Sequence, residues 1–257
     1  MLHFRTILLI LFIFSLLFNC NSTKHNSPST DVETLKSQGE ERIAYHKGKE
    51  IWFNSKVGTN GMNCESCHPG GEMTNAESYP KFKGILKKTV TISMTHNFAV
   101  VNENRGQPWV IGSDEANALV LFVTSLANGR SLRMGWPKKF RDECIARGKL
   151  LFSDPSIAST GRSCKSCHIE EGKKDHVTQD YKVNSLKGIA AQYPQYSFRQ
   201  DKVVTLEQEI SYCLDKYLNN KSLKLENDRI IALCCYITSL SEGKRINVYE
   251  EKFEKTN

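Results

Sequence analysis

Apolar positions recur at helical spacing in two separate stretches of the chain. Ala116, Leu119, Val120, Val123 and Leu126 form one stripe, and Ile230, Leu233, Cys234, Ile237 and Leu240 form the other. Each stripe predicts a helix with one buried face. Ser113 and Asn227 stand where N-caps belong, and Gly129 and Gly243 stand where the chain must turn left-handed to leave the helix. Two earlier patterns predict helices around residues 40 to 54 and 140 to 153, and two more span about 91 to 102 and 205 to 218. A different pattern opens the chain. His3 and Arg5 precede an apolar run from Ile7 to Phe18 that is short for a membrane span and has the form of an export signal, residues 1–19.

The predicted helices come in pairs because the chain repeats itself. At an offset of 100, Gly48-Lys49 falls on Gly148-Lys149, Trp52 on Phe152 and Gly61 on Gly161. Downstream the offset becomes 114: "YPKFK" from Tyr79 meets "YPQYS" from Tyr193, and Thr91 meets Thr205. "SDEANALVLFVTSLANG" from Ser113 then lies on "NDRIIALCCYITSLSEG" from Asn227 without a gap. This is a tandem duplication in which the second copy carries the longer loop after its first helix. Pro137 marks the boundary, so residues 40–135 and 136–250 are predicted as two tandem, all-α domains of the same small type.

Composition adds little to that picture and removes one class of function. A length of 257 residues and 39% apolar content suffice for compact cores. The net charge of +7 comes from Lys and Arg scattered along the chain, without a dense basic run, which argues against nucleic acid as a partner.

Cysteines carry the chemistry. "CESCH" at 64 to 68 and "CKSCH" at 164 to 168 sit at the same place in each repeat, just after its first helix. Two thiols three positions apart on a helical turn reach both vinyl groups of one porphyrin, and the His that follows offers its imidazole to the iron. A redox dithiol does not require the His, and a zinc site needs further close ligands. The motifs therefore predict two haem c groups. Cys64 and Cys67, then Cys164 and Cys167, are the thioether positions; His68 and His168 are the proximal iron ligands. This makes each repeat a cytochrome c-like haem domain.

The sixth iron ligand decides what each haem does. Cys213, on the predicted middle helix of the second repeat, falls on Ala99 in the first. The first repeat offers His96 instead, one turn before Ala99, with Met94 as the alternative. Cys213 is thus the candidate distal ligand of the second haem and His96 of the first; His176 and Met73 are weaker rivals. Cys20, at the end of "LLFNC", matches a lipobox loosely and is a candidate lipidation site, and the polar "NSTKHNSPST" that follows begins a tether over residues 20–39. Cys144, Cys234 and Cys235 remain, in an exported compartment that permits disulfides; one of the last two pairing with Cys144 is one arrangement open to them.

The stretch from Tyr193 to Val248 resembles the C-terminal haem domain of SoxA and the related thiosulfate dehydrogenases. The likeness lies in its Tyr-Pro segment, the "TLEQEI" helix start, Cys213 and the closing "ALCCYITSLSEG" helix. Through the repeat it extends over about 40 to 248. The resemblance implies His and Cys axial ligands at the active haem, an inorganic sulfur anion such as thiosulfate as substrate, and Cys213 as the catalytic ligand if the chain is an enzyme. It also implies a monohaem cytochrome as a redox partner. Three positions depart from the family pattern: Glu209 stands where an Arg is usual, Ser211 where an Asn is, and Leu214 where a second Arg is. A carboxylate at 209 repels an anionic substrate, and Arg199 and Lys202 are the candidate replacement cations. The expectation from sequence is an exported dihaem cytochrome, on the periplasmic side or in the cell envelope, anchored to the membrane by lipid. It transfers electrons between redox proteins, with thiosulfate oxidation at the second haem as the alternative.

Overall fold

The computed structural model describes residues 28–135, 137–169, 176–177 and 182–251. The export signal and Cys20 lie outside them. Contacts divide the chain into Met1–Lys36 and Ser37–Asn257; of the first, the described residues belong to the opening turns of helix α1 (Pro28–Phe53). That helix starts well before residue 40, so residues 28–39, expected to be tether, are helical. Pro28 at the first turn lacks only an N–H that would have no partner there, and Glu33, Leu35, Lys36 and Gln38 are good helix formers. Their polarity hid the helix from an apolar-periodicity reading.

After α1 the first repeat continues through a single turn of helix, α2 (Cys64–Cys67), and a hairpin of β1 (Lys81–Lys83) and β2 (Lys88–Val90). Helices α3 (Ile92–Asn102) and α4 (Asp114–Ser125) complete it. The second repeat runs α5 (Lys138–Ser153), α6 (Cys164–Cys167), and β3 (His176–Val177) paired with β4 (Lys182–Val183). It then continues through β5 (Gln195–Ser197), β6 (Lys202–Val204), α7 (Leu206–Leu218) and α8 (Asp228–Ser239). The described residues are thus dominated by helices, with three short antiparallel hairpins among them added to the all-α expectation. Strands of two or three residues are too short to show an alternating pattern in sequence.

Local chemistry repeats with the sequence. Ser113 Oγ accepts from the Ala116 N–H at 3.2 Å to cap α4, and Asn227 Oδ1 accepts from the Arg229 N–H at 2.9 Å to cap α8. Gly129 and Gly243 leave these helices at φ 80° and 81°. Tyr79–Pro80 and Tyr193–Pro194 are both cis.

Within Ser37–Asn257 the two repeats share their interior. Trp52, Leu119 and Phe122 of the first repeat pack in one buried cluster with Tyr196, Val203, Ile246 and Val248 of the second. Phe152, Ile210, Leu214, Leu233 and Ile237 form a second cluster. In each repeat the first and closing helices cross at a glycine. A Cβ on Gly48 would lie 2.0 Å from the Ala118 carbonyl oxygen, and one on Gly148 would lie 1.9 Å from that of Ala232. Cys144 on α5 and Cys235 on α8 form a disulfide that closes the second of these crossings.

Candidate haem sites

Each repeat encloses one apolar cavity against its Cys-x-x-Cys turn. The first, of about 150 Å³, is lined by Cys64, Cys67, His68, His96 and Ala99, with Trp52, Leu119 and Val123 among its walls. The second, of about 260 Å³, is lined by Cys164, Cys167, His168, Ile210 and Cys213, with Phe152, Leu233 and Ile237 behind them. The lining positions correspond across the repeat: Trp52 to Phe152, His96 to Ile210, and Ala99 to Cys213.

Serine hydroxyls hold the Cys-x-x-Cys turns. The Asn63 N–H donates to Ser66 Oγ at 3.3 Å, and the Ser163 N–H donates to Ser166 Oγ at 3.0 Å. The serine inside each motif therefore holds the turn that aims both thiols at one cavity, a role that sequence reasoning missed. In the first repeat Trp52 Nε1 also donates to Glu65 at 2.6 Å, and the Trp52 and His68 ring centroids are 6.1 Å apart. Phe152 takes the matching place beside His168, at 6.3 Å.

The histidines are prepared in different ways. His68 Nδ1 lies 2.9 Å from the Glu72 carbonyl oxygen, to which it donates, leaving Nε2 with its lone pair for another partner. Burial lowers the pKa of His168, and a hydrogen bond with the Asn184 backbone opposes the fall. Across the first cavity, burial and then the nearby His68 hold His96 neutral, down to about 4, and its buried Nδ1 has no hydrogen-bond partner among the described residues. A buried neutral imidazole without a partner fits a metal ligand better than a structural residue.

In the second cavity burial pushes the Cys213 thiol up to about 12, with Glu209 adding to the rise and Arg199 opposing it. Cys64 is raised to about 11 and Cys164 to about 12, in both cases chiefly by burial. These thiols stay protonated in an apolar wall, so only covalent capture or a metal ion would take their protons at neutral pH. The residues fit haem c: each cavity has two thiols a helical turn apart, an imidazole next to them, and one further donor on the facing helix.

The other expected donors lie elsewhere or at the edge. Met94 is buried with Val90 and Ile231, away from the first cavity, because it faces the closing helix of the other repeat. Met73 does line the first cavity but is 69% exposed. The backbone of His176 pairs with that of Val183 in the β3–β4 hairpin. Of the two candidate cations, Lys202 donates to the Gly112 carbonyl at 3.2 Å, while Arg199 lines the second cavity and forms an ion pair with Glu209.

Paired cytochrome motifs on a helical fold of this kind define a c-type cytochrome. The model of the SoxA/TsdA cytochrome c domain matches residues 47–132 and again 147–246, and the chain belongs to that family. Among curated relatives, a thiosulfate dehydrogenase of Allochromatium vinosum is 32% identical over 106 residues, 39% of this chain and 38% of that protein. An L-cysteine S-thiosulfotransferase subunit SoxA of Hydrogenobacter thermophilus is 31% identical over 108 residues, 42% of this chain and 37% of that protein. The matches thus span well under half the length of these relatives. In three dimensions the chain resembles a chain of SoxXA from P. pantotrophus with a TM-score of 0.70 at 18% identity, covering 82% of this chain and 79% of that one.

Proposed function

We propose that the chain is an exported dihaem cytochrome c that passes electrons between protein partners. Cys64 and Cys67 would bind one haem and Cys164 and Cys167 the other, with His68 and His168 as proximal ligands. His96 and Cys213 would be the distal ligands. When bound, each haem supplies a one-electron couple whose potential follows its axial donors and surroundings. The residues of the chain do the rest. The Glu72 carbonyl orients His68, the apolar walls around Trp52 and Phe152 exclude water, and the distal donors differ in charge. A neutral imidazole at 96 and a thiol at 213 would give the two haems donors of different charge, which would separate their potentials and give transfer a direction. The observation that carries this reading is the pair of cavities with the same Cys-x-x-Cys-His wall and unequal donors opposite.

The signal-like start of the chain supports export to the periplasmic side or cell envelope, with Cys20 as the lipid anchor. The family supports a monohaem cytochrome as one redox partner. A second reading, thiosulfate oxidation with Cys213 as the catalytic ligand, is favoured by the named activities of the relatives and by Arg199 beside Cys213. Against it stands Glu209, which neutralises that cation. Incubating the purified cytochrome with thiosulfate and ferricyanide separates the two: the carrier reading expects reducible haems without turnover. Steady ferricyanide reduction abolished by Cys213→Ala would establish the enzyme instead.

A further inference from the structure

Three donors converge on one carboxylate at the second cavity. Arg199 pairs with Glu209 Oε1 through Nη2, Gln200 Nε2 donates to Oε2 at 3.0 Å, and Ser197 Oγ donates to the same oxygen at 3.5 Å. All three lie on or beside the β5–β6 turn, and Glu209 reaches them from α7, one helical turn before Cys213. The Glu209 side chain is 11% exposed. Arg199, Glu209 and Cys213 line the cavity together. A guanidinium, an amide and a hydroxyl aimed at one point have the chemistry of an oxyanion site. Here a side chain of the protein itself occupies it. The fold does not require the arrangement, since the repeat places Ile85 and Thr95 at the positions of Arg199 and Glu209 in the first half.

We propose that Glu209 is a built-in anion that saturates this donor set, so that inorganic oxyanions are refused at the Cys213 side of the second cavity. Glu209 is then a specificity-determining residue. Removing its charge takes the carboxylate away from Arg199 and Gln200 beside a low-dielectric pocket; Tyr217 and the Tyr212 ring still hold the Arg199 guanidinium in place but do not neutralise it, and an external anion gains what the carboxylate gave up. The inference deepens the electron-carrier reading and rests on its view of the second cavity as a haem pocket, although the donor set can be titrated without reference to turnover.

The test is calorimetric titration of the intact, haem-loaded protein with thiosulfate at low ionic strength, with sulfate as comparator. The parent, Glu209→Gln, Glu209→Ala and Glu209→Ala/Arg199→Ala proteins would be compared after circular dichroism has checked each fold. The expected result is weak or no saturable binding to the parent and binding at least about tenfold tighter to Glu209→Ala. That binding should fall with added salt, disappear in the double variant, and shift the visible spectrum of the ferric protein. The inference is overturned if the parent binds thiosulfate as tightly as the variants. It is equally overturned if a folded Glu209→Gln or Glu209→Ala protein gains no affinity. Should neither variant fold, saturable binding to the parent that Arg199→Ala removes is enough to overturn it. Peptide mass analysis showing Cys164 and Cys167 without haem would sink the haem reading alone, leaving the calorimetric result to decide the anion site.

Discussion

Gly48 and Gly39 lie on the same helix, and replacing each by Ala sets two known effects against each other. In an exposed helix interior, Gly→Ala stabilises by about 1 kcal/mol through backbone entropy. A Cβ on Gly39 would meet nothing within 4 Å, so Gly39→Ala should show that gain unopposed. A Cβ on Gly48 would lie 2.0 Å from the Ala118 carbonyl oxygen and 2.9 Å from Phe122 Cβ, far inside contact distance. Neither neighbour is the free end of a flexible side chain, so the helices must separate. Overpacking of this kind costs up to about 3 kcal/mol, which leaves a net loss of roughly 2 kcal/mol after the propensity gain. For a chain of this size that lowers Tm by about 4 to 8 °C. The same crossing carries Trp52, Leu119 and Val123 into the first cavity wall, so the haem absorption of that half should shift as well. Thermal unfolding followed in the far ultraviolet and at the haem band measures both. A Gly48→Ala protein as stable as Gly39→Ala would refute the close helix crossing.

Further substitutions test the interior. Replacing Cys144 and Cys235 together by Ser opens a loop with a sequence separation of 91 residues. Chain entropy puts the loss near 4.6 kcal/mol, within a usual range of about 2 to 5. Denaturant unfolding of parent and variant measures it, and a loss under about 1 kcal/mol would contradict a native disulfide. Met94→Leu should cost less than about 1.5 kcal/mol as a volume-conserving core change and leave the haem spectrum alone, whereas His96→Ala should convert one of the two haems to a high-spin spectrum. A spectral change in Met94→Leu with none in His96→Ala would reverse that assignment.

The duplication and its helices were legible because each local signal occurs twice. The caps at Ser113 and Asn227, the turn glycines at 129 and 243, and the Cys-x-x-Cys-His turns are short-range chemistry that any copy of the unit must keep. The crossing glycines at 48 and 148 were visible as a repeat, but their reason lies in contact with Ala118 and Ala232, which no local pattern encodes. The early start of α1 was hidden by polarity, and the hairpins by their length. Met94 and His96 sit two positions apart on α3, and only the packing of the two repeats decides that Met94 faces Ile231 while His96 faces the cavity. Glu209 read as a missing cation in sequence. In space its carboxylate meets the cation from another element, because the β5–β6 turn brings Arg199 back over α7.

Two haem pockets of one design are proposed to carry different distal donors. Low-temperature electron paramagnetic resonance of the ferric protein tests this most directly. Two low-spin species are expected, one of thiolate type that disappears in Cys213→Ala and one of imidazole type that disappears in His96→Ala. A ferric protein with no thiolate-type signal, or one whose signal survives Cys213→Ala, would contradict this assignment.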